Sequence, residues 1–317
     1  MSWNRRLVAL LDSLFSQLML CLAALVFAFG CYALWDSREV GRRASSSYYQ
    51  TYKPTSIQQE DNLDSFSAFE RLRQLNKDVL GWLNLYGTQI DYPLLQASDN
   101  DTYLNKDAKG EFSVTGALFL DYRSSPYFDD FNTIIHGHHV EDGVMFGDLD
   151  KFREQAFFEA HRYGSIYYNG AEKGLDIIAA IDVDAYDTTV YQPGIYGADN
   201  RLTYYHHLLS KSLHKRDVTL SANDQLILMS TCFLEKANGR TLLLAKVSDT
   251  VVSNPFAKSD DDVFPYYLFG KSTLGQLLRS IPLVIWYLII VGLLMMIILL
   301  LFVLGRYLKR AKRQQKP

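Results

Sequence analysis

Hydrophobic positions are distributed along this chain in two distinct patterns. Two uncharged apolar runs, residues 13–35 and 281–304, lie near the two ends, and each is long enough to cross a bilayer as a helix. Between them, short apolar segments alternate with turn residues, which is typical of β-strands. The pattern therefore predicts two transmembrane helices that flank one mostly β domain.

Basic residues next to the two apolar runs predict how the chain is oriented. Arg5 and Arg6 precede the first run, and a basic cluster follows the second: Arg306, Lys309, Arg310, Lys312, Arg313 and Lys316. By the positive-inside rule, residues 1–12 and 305–317 are cytoplasmic and the central domain is extracellular. A cleaved signal peptide is the competing interpretation of the first run. The sequence Trp35-Asp36-Ser37-Arg38 is a poor cleavage site, which favours an uncleaved anchor.

The central region divides into a stalk, a folded domain and a linker. Residues 36–64 are polar and predict the stalk, residues 65–250 the domain, and residues 251–280 a linker to the second span. Strands are predicted at residues 79–85, 90–95, 117–121, 133–136, 165–168, 175–181, 225–232 and 241–247. Helical segments are predicted at residues 65–76, 147–152, 154–158 and 202–213. Many short strands with few helices predict a β-barrel or β-sandwich.

Composition narrows the chemistry further. The chain is 48% hydrophobic and 21% charged, with a formal net charge of −3, which argues against a nucleic-acid-binding protein. Two of its three cysteines, Cys21 and Cys31, lie in the first apolar run. Cys232 is therefore the single cysteine of the central domain, and a disulfide-stabilised scaffold is excluded there.

Cys232 closes an apolar strand that ends Ser230-Thr231-Cys232. Burial statistics alone favour an inert packing role for such a thiol. A nucleophilic role requires a base or cation beside it and a group that stabilises an oxyanion. His138 follows an apolar strand, and Arg240 begins the strand that would pair with the cysteine strand. Taken alone, His138 could equally be an ordinary surface histidine, and Arg240 could be an arginine at the rim of a hairpin with no catalytic role.

Taken together, these segments resemble the sortase family. Ser230-Thr231-Cys232 and Asn238-Gly239-Arg240 look like its nucleophile and arginine segments, and Ile135-His136-Gly137-His138-His139 looks like its histidine segment. The class B branch is indicated by further matching blocks at residues 76–82, 90–96, 99–100, 103–104, 116–121 and 142–149. The resemblance covers residues 66–247, almost the whole extracellular domain.

The resemblance implies a closed β-barrel and a cysteine transpeptidase that needs no metal or cofactor. It implies that Cys232 is the nucleophile, His138 the general acid and base, and Arg240 a clamp for the oxyanion or the substrate. Such enzymes cleave a C-terminal sorting signal after Thr, form a thioacyl intermediate and transfer the protein to an amine. The implied partners are surface proteins or pilins, with a cell-wall peptide or a pilin lysine as acceptor. Ser230 and Thr231 are expected to line the substrate groove or to orient the cysteine.

The sequence departs from the class B pattern at several points. Leu234 stands where some members have an acidic residue, so no catalytic triad is inferred. A second span is more typical of pilin-polymerising class C enzymes, but residues 36–63 lack the Asp-Pro-aromatic lid motif of that class. A class B barrel with two anchors therefore suggests pilus assembly as one function. Residues 203–221 are expected to form a wall of the groove.

Two other functions are compatible with the sequence. One is a non-catalytic scaffold that holds surface proteins in the same groove. The other is a simple cysteine endopeptidase, which uses water in place of an amine. The intact set of Cys232, His138 and Arg240 argues against the scaffold, and the order of histidine before cysteine argues against a papain-like protease.

Overall fold

The computed structural model describes residues 3–54, 63–140, 143–232 and 239–257. The predicted second span (281–304) and basic tail (305–317) lie outside these residues, as does most of the predicted linker. Leu234 and the rest of the connection at residues 233–238 also lie outside them.

Helices and short strands make up the described chain. The α-helices are α1 (Trp3–Ala44), α2 (Leu63–Leu75), α3 (Gln155–Ala160) and α4 (Ala198–Ser210). The strands are β1 (Val79–Leu85), β2 (Asp91–Leu95), β3 (Leu118–Leu120), β4 (Asn132–His136), β5 (Tyr163–Tyr168), β6 (Ala171–Asp184), β7 (Ser212–Lys215), β8 (Leu226–Cys232) and β9 (Gly239–Ser248). Four 3₁₀ segments lie at Ser46–Tyr48, Gln50–Tyr52, Thr102–Leu104 and Gly147–Arg153.

Eight of the described strands close into a barrel. Their order is β5-β1-β2-β3-β4-β8-β9-β6, and the pairing of β6 with β5 completes the ring. The ninth strand, β7, lies outside the ring on β6. Closure removes the exposed strand edges that an open sheet would leave. The prediction of a mostly β fold with a closed barrel is confirmed.

Period-two alternation along the strands divides the core into two parts. On β8, Ile227 and Met229 face the main core, whereas Leu226 and Leu228 join a second cluster with Tyr204 of α4. The same alternation holds on β4 and β9. One face of these three strands therefore fills the barrel and the other lies toward α4.

The predicted elements agree well with the observed ones, with one strand missed. Asn169 and Gly170 form the turn between β5 and β6, with φ of 51° and 79°. Positive φ at both positions is the signature of the tight turn that fits the twist of a hairpin. The predicted helix at 202–213 ends at Ser210, and Ser212–Lys215 instead forms β7. Four residues are too few to show a strand pattern, and the pairing with β6 decides their conformation.

Helix α1 contains the first predicted span. Among the described residues it is the one helix long and apolar enough to cross a bilayer, with a stretch at Ser13–Ala33 of mean hydropathy 2.2. The helix continues past this stretch to Ala44.

Part of the predicted stalk packs against the barrel. Ala44 and Tyr49 are buried, and the hydroxyl of Tyr92 on β2 donates to the Ala44 carbonyl at 2.9 Å. The ammonium of Lys53 lies 2.7 Å from the carboxylate of Asp91. Tyrosines supply the buried area that an otherwise polar segment lacks. Residues 44–54, which belong to the predicted stalk, are therefore docked on the barrel.

Candidate active site

Strand register brings the three residues singled out in the sequence together. Strand β8 lies between β4, which is parallel to it, and β9, which is antiparallel. Cys232 pairs directly with Arg240, and His136 pairs with Ser230 two positions earlier. Continuing the parallel register by two residues aligns His138 with Cys232. Because neighbouring strands lie about 4.8 Å apart, this extrapolation predicts that the three residues form one row at the end of β8.

Hydrogen bonds fix His138 on both sides of its backbone and through its ring. The preceding residue, Gly137, donates its N–H to the Ser230 carbonyl at 3.2 Å, and Phe146 donates to the His138 carbonyl at 3.0 Å. The ring atom Nε2 lies 2.9 Å from the Leu104 carbonyl oxygen. A carbonyl oxygen only accepts, so Nε2 carries a proton in this arrangement.

Arg240 is the second residue of β9 and is half-buried at the edge of a large cavity. Its Nη1 donates to the neighbouring Gly239 carbonyl at 3.0 Å. A guanidinium has five N–H donors, so Arg240 can keep this bond and still bind a substrate oxygen. The side chain lies on the α4 side of the sheet, as do Leu242 and Leu244 after it.

The cavity beside this row has a volume of about 1320 Å³. It exceeds the roughly 300–1000 Å³ of small-molecule pockets and is large enough for a peptide segment. His136, Ser230 and Arg240 line it from the barrel, and α4 lines it from the opposite side. The α4 residues in its wall are Asn200, Thr203, Tyr204 and His207.

A second part of the wall was not predicted from the sequence. Residues 185–196, which connect β6 to α4, contribute much of the lining, including Tyr191 and Tyr196. The Tyr191 hydroxyl lies 3.1 Å from Ser230 Oγ, and Asp187, Thr189 and His207 are joined by hydrogen bonds that tie this connection to α4. The connection has no periodic pattern, so the signal that could have marked it is only its high content of turn residues.

Ser230 and Thr231 lie on opposite faces of β8. Ser230 lines the cavity, and its predicted contact with a substrate stays a prediction. Thr231 is 1% exposed and has the inward parity of Ile227 and Met229, so it lies on the barrel face of the strand. This position does not fit a place in the groove lining, and an orienting role toward the adjacent Cys232 stays a prediction.

A charged cluster on the floor of the cavity was missed by sequence reasoning. His136 lines the cavity and has Nε2 3.2 Å from the carboxylate of Asp121. Arg123 also binds Asp121, with Nε at 2.8 Å from Oδ1 and Nη2 at 2.8 Å from Oδ2. Burial alone would raise the pKa of Asp121, but the hydrogen bonds from Arg123 and His136 outweigh it and hold that pKa well below its usual range. His136 and His138 are two positions apart at the end of β4 and just beyond it, and this spacing places them on the same face if the strand is continued. That spacing is the sequence signal that could have revealed His136.

A second network supports the row from the barrel side. Thr241, next to Arg240, donates to Asp150 Oδ1 at 2.7 Å, and His139 Nε2 lies 3.0 Å from Asp150 Oδ2. Asp150 therefore connects the segment after β4 to the start of β9. These contacts fix the relative positions of the two strands that present His138 and Arg240.

A closed barrel in which a cysteine at the end of one strand pairs with an arginine in the wall of a groove, and a histidine follows the adjacent strand, fits a cysteine transpeptidase. No protein-family model matches the chain. It is 38% identical over 182 residues to sortase B of Listeria monocytogenes, which covers 56% of this chain and 72% of that protein. The chain belongs to the sortase B family.

Solved structures agree with this assignment. The crystal structure of sortase B from the type II pilus of Streptococcus pneumoniae is 57% identical, with a TM-score of 0.51, and the match covers 57% of this chain and 99% of that one. A Streptococcus pyogenes class B sortase involved in pilus biogenesis is 34% identical, with a TM-score of 0.53, and the match covers 57% of this chain and 97% of that one.

Proposed function

We propose that this class B sortase cleaves a C-terminal sorting signal after a Thr residue and transfers the protein to an amine. Cys232 is the nucleophile, His138 the general acid and base, and Arg240 the oxyanion clamp. The observation that carries this proposal is the register of β8, which pairs Cys232 with Arg240 and pairs Ser230 with His136, two residues before His138.

The first half-reaction is acylation of the enzyme. The Cys232 thiolate attacks the Thr carbonyl carbon, and the guanidinium of Arg240 donates to the oxygen as it becomes negative. Protonated His138 then gives its proton to the departing amine, the peptide bond breaks and a thioester remains.

The second half-reaction reverses these roles. An incoming amine attacks the thioester carbonyl while neutral His138 accepts its proton. Collapse of the oxyanion expels the Cys232 thiolate and leaves a new amide bond. Histidine suits both steps because its ordinary pKa lies near neutrality.

The groove between the barrel and α4 is the proposed site for the sorting signal. Ser230 lies two residues before Cys232 on the same face of β8, about 7 Å along the strand, so it would contact the signal upstream of the scissile bond. Thr231, on the other face, would orient Cys232 from beneath.

We further propose that the acceptor is a pilin lysine. The support is the 57% identity to a sortase from a type II pilus, over 99% of that chain. A cell-wall peptide is the competing acceptor. Incubation with a Thr-containing signal peptide and equal concentrations of a lysine peptide and a wall-peptide amine distinguishes the two, because mass spectrometry identifies which amide product forms.

The proposed location is the cell membrane with the barrel outside the cell. Helix α1 would supply the first anchor through Ser13–Ala33, and residues 281–304 the second, with both termini cytoplasmic. Protease treatment of intact cells tests this arrangement. Tags at both termini should be protected while the barrel is cleaved, and cleavage of either tag would contradict it.

Replacement of Cys232 tests the catalytic proposal. Cys232→Ala is expected to abolish both cleavage and transfer of sorting-signal peptides, while Cys21→Ala, a cysteine in α1, is expected to leave both unchanged. Full activity of the Cys232→Ala protein would remove Cys232 as the nucleophile. Assembly of surface proteins by that variant in cells would favour the scaffold function instead.

A further inference from the structure

We propose that the main-chain carbonyl of Leu104 is the positioning group for His138. It holds the neutral ring with its proton on Nε2 and so makes Nδ1 the nitrogen that exchanges protons during catalysis. This inference rests on the acid–base role proposed for His138.

The hydrogen bond itself determines the tautomer. Nε2 of His138 lies 2.9 Å from the Leu104 oxygen, and an oxygen of this kind cannot donate. A neutral imidazole has one N–H, so occupying Nε2 leaves the lone pair on Nδ1. In serine hydrolases a buried carboxylate likewise fixes the tautomer, but there it binds Nδ1–H and leaves Nε2 to exchange protons.

An uncharged acceptor gives His138 a different environment from its neighbours. His139 binds the carboxylate of Asp150, and His136 binds the carboxylate of Asp121. His138 binds a carbonyl, which orients the ring but stabilises an imidazolium less than a full negative charge would. A ring held in this way can release its proton to a leaving amine and take one back. The sequence has Leu234 where an acidic third residue would stand, and the Leu104 carbonyl supplies the orienting contact in its place.

The turn that contains Leu104 is fixed through the residue before it, Tyr103. Leu104 ends the 3₁₀ turn Thr102–Leu104, in which Tyr103 is buried. The Tyr103 hydroxyl donates to Asp78 Oδ2 at 2.7 Å, and Ala117 donates its N–H to the Tyr103 carbonyl at 3.0 Å. The turn is thus tied both to the residue before β1 and to the residue before β3.

Gly116 permits this arrangement. Its φ is +60°, and a Cβ built there would lie 2.8 Å from the Leu104 oxygen and still closer to the Tyr103 oxygen. Both atoms belong to the backbone, so a side chain at this position would displace the carbonyl that holds His138. A residue 22 positions before His138 therefore controls its orientation.

The direct test is the ring tautomer in the full-length protein. ¹⁵N NMR of histidine-labelled protein in detergent, above the pH at which the ring titrates, reports which nitrogen is protonated. His138→Gln identifies the His138 signal by its loss. We expect Nε2 protonated and Nδ1 unprotonated. A protonated Nδ1 in the folded wild-type protein would overturn the proposal.

A matched pair of glycine variants tests the contact by kinetics. Gly116→Ala is expected to lower kcat about 10- to 100-fold with KM within about twofold, and to produce a mixture of tautomers. Gly170→Ala is the control, because Gly170 has φ of +79° and open space around its Cβ position. It carries the same backbone strain without displacing the Leu104 carbonyl, so its kcat and tautomer are expected to match those of wild type.

The outcomes separate this inference from the function on which it rests. A folded Gly116→Ala protein with wild-type kcat and tautomer would remove the positioning role of Leu104 and leave the transpeptidase proposal intact. Full activity of His138→Gln would instead remove the acid–base role of His138. If Gly116→Ala does not fold, the wild-type tautomer alone decides.

Discussion

One histidine, His136, lies at the floor of the groove, and another, His138, lies two residues further along, near the end of β8. The hydrogen-bond partners of the two rings differ in charge. At the floor, His136 shares a buried carboxylate with Arg123, and Asp121 is 1% exposed. At the strand end, two residues further along, His138 has a neutral carbonyl as its ring partner. The partner of His136 carries a full negative charge, whereas the partner of His138 is uncharged. We expect this difference to separate the roles of the two rings.

The largest expected difference between the two regions is in turnover. Loss of a general acid and base costs about 10²- to 10⁴-fold in rate, so His138→Gln is expected to lower kcat by that factor. His136→Gln is expected to change kcat less than about threefold and to act on KM, because its ring lines the groove. Steady-state kinetics on one signal peptide measures both. Equal losses of kcat in the two variants would erase the distinction.

Arg240 lies at the end of β8 beside Cys232, so its replacement is expected to lower kcat, as replacement of His138 does. Removal of one oxyanion donor costs about 10²- to 10³-fold in kcat, and Arg240→Ala is expected to fall in that range. Arg240→Lys is expected to restore little, because an ammonium cannot reproduce the planar fork of a guanidinium. Arg162→Ala, which breaks a remote ion pair with Asp176, is the control and should retain wild-type kcat. Wild-type turnover of Arg240→Ala would contradict the clamp role.

The strands, together with Cys232 and Arg240, could be predicted from the sequence, because apolar runs and turn residues mark strands locally. Cys232 and Arg240 belong to strands only six residues apart, so their pairing follows from hairpin geometry. His138 could be included only through the family resemblance, because β4 lies some 90 positions before its parallel partner β8 and no local pattern encodes that pairing. The Asp121 cluster and the wall at residues 185–196 depend on the same kind of long-range contact. The docking of the tyrosine-rich segment at 44–54 was not predicted, because its polarity concealed a buried face.

The ionised carboxylate of Asp121 at the floor of the groove is expected to make the free energy of unfolding depend on pH in acid. The pKa of Asp121 is lowered in the folded state, so its stabilisation is present above the usual aspartate pKa near 4 and is lost as the pH falls below it. Asp121→Asn is expected to reduce the free energy of unfolding at pH 7 by about 1–3 kcal/mol and to flatten its decline in acid. Urea unfolding between pH 7 and pH 2 measures both. An acid decline as steep as that of wild type would show that Asp121 does not provide this charge.

The smallest expected effect separates the two faces of β8. Ser230→Ala removes a hydroxyl from the groove and is expected to raise KM about two- to fivefold, the equivalent of one modest hydrogen bond. Thr231→Val keeps the shape of a buried side chain on the barrel face and is expected to leave KM unchanged. A larger KM effect from Thr231→Val than from Ser230→Ala would reverse the assignment of the two faces.

The central claim is that the thiol at the end of β8 carries the acyl group between donor and acceptor. Mass spectrometry of the full-length protein after brief incubation with Thr-centred signal peptides tests this directly, with hydroxylamine added to half of each sample. The account predicts an acyl adduct on the tryptic peptide that contains Cys232, released by hydroxylamine as a hydroxamate. Continued turnover with no adduct on Cys232, or an adduct on another residue, would contradict it.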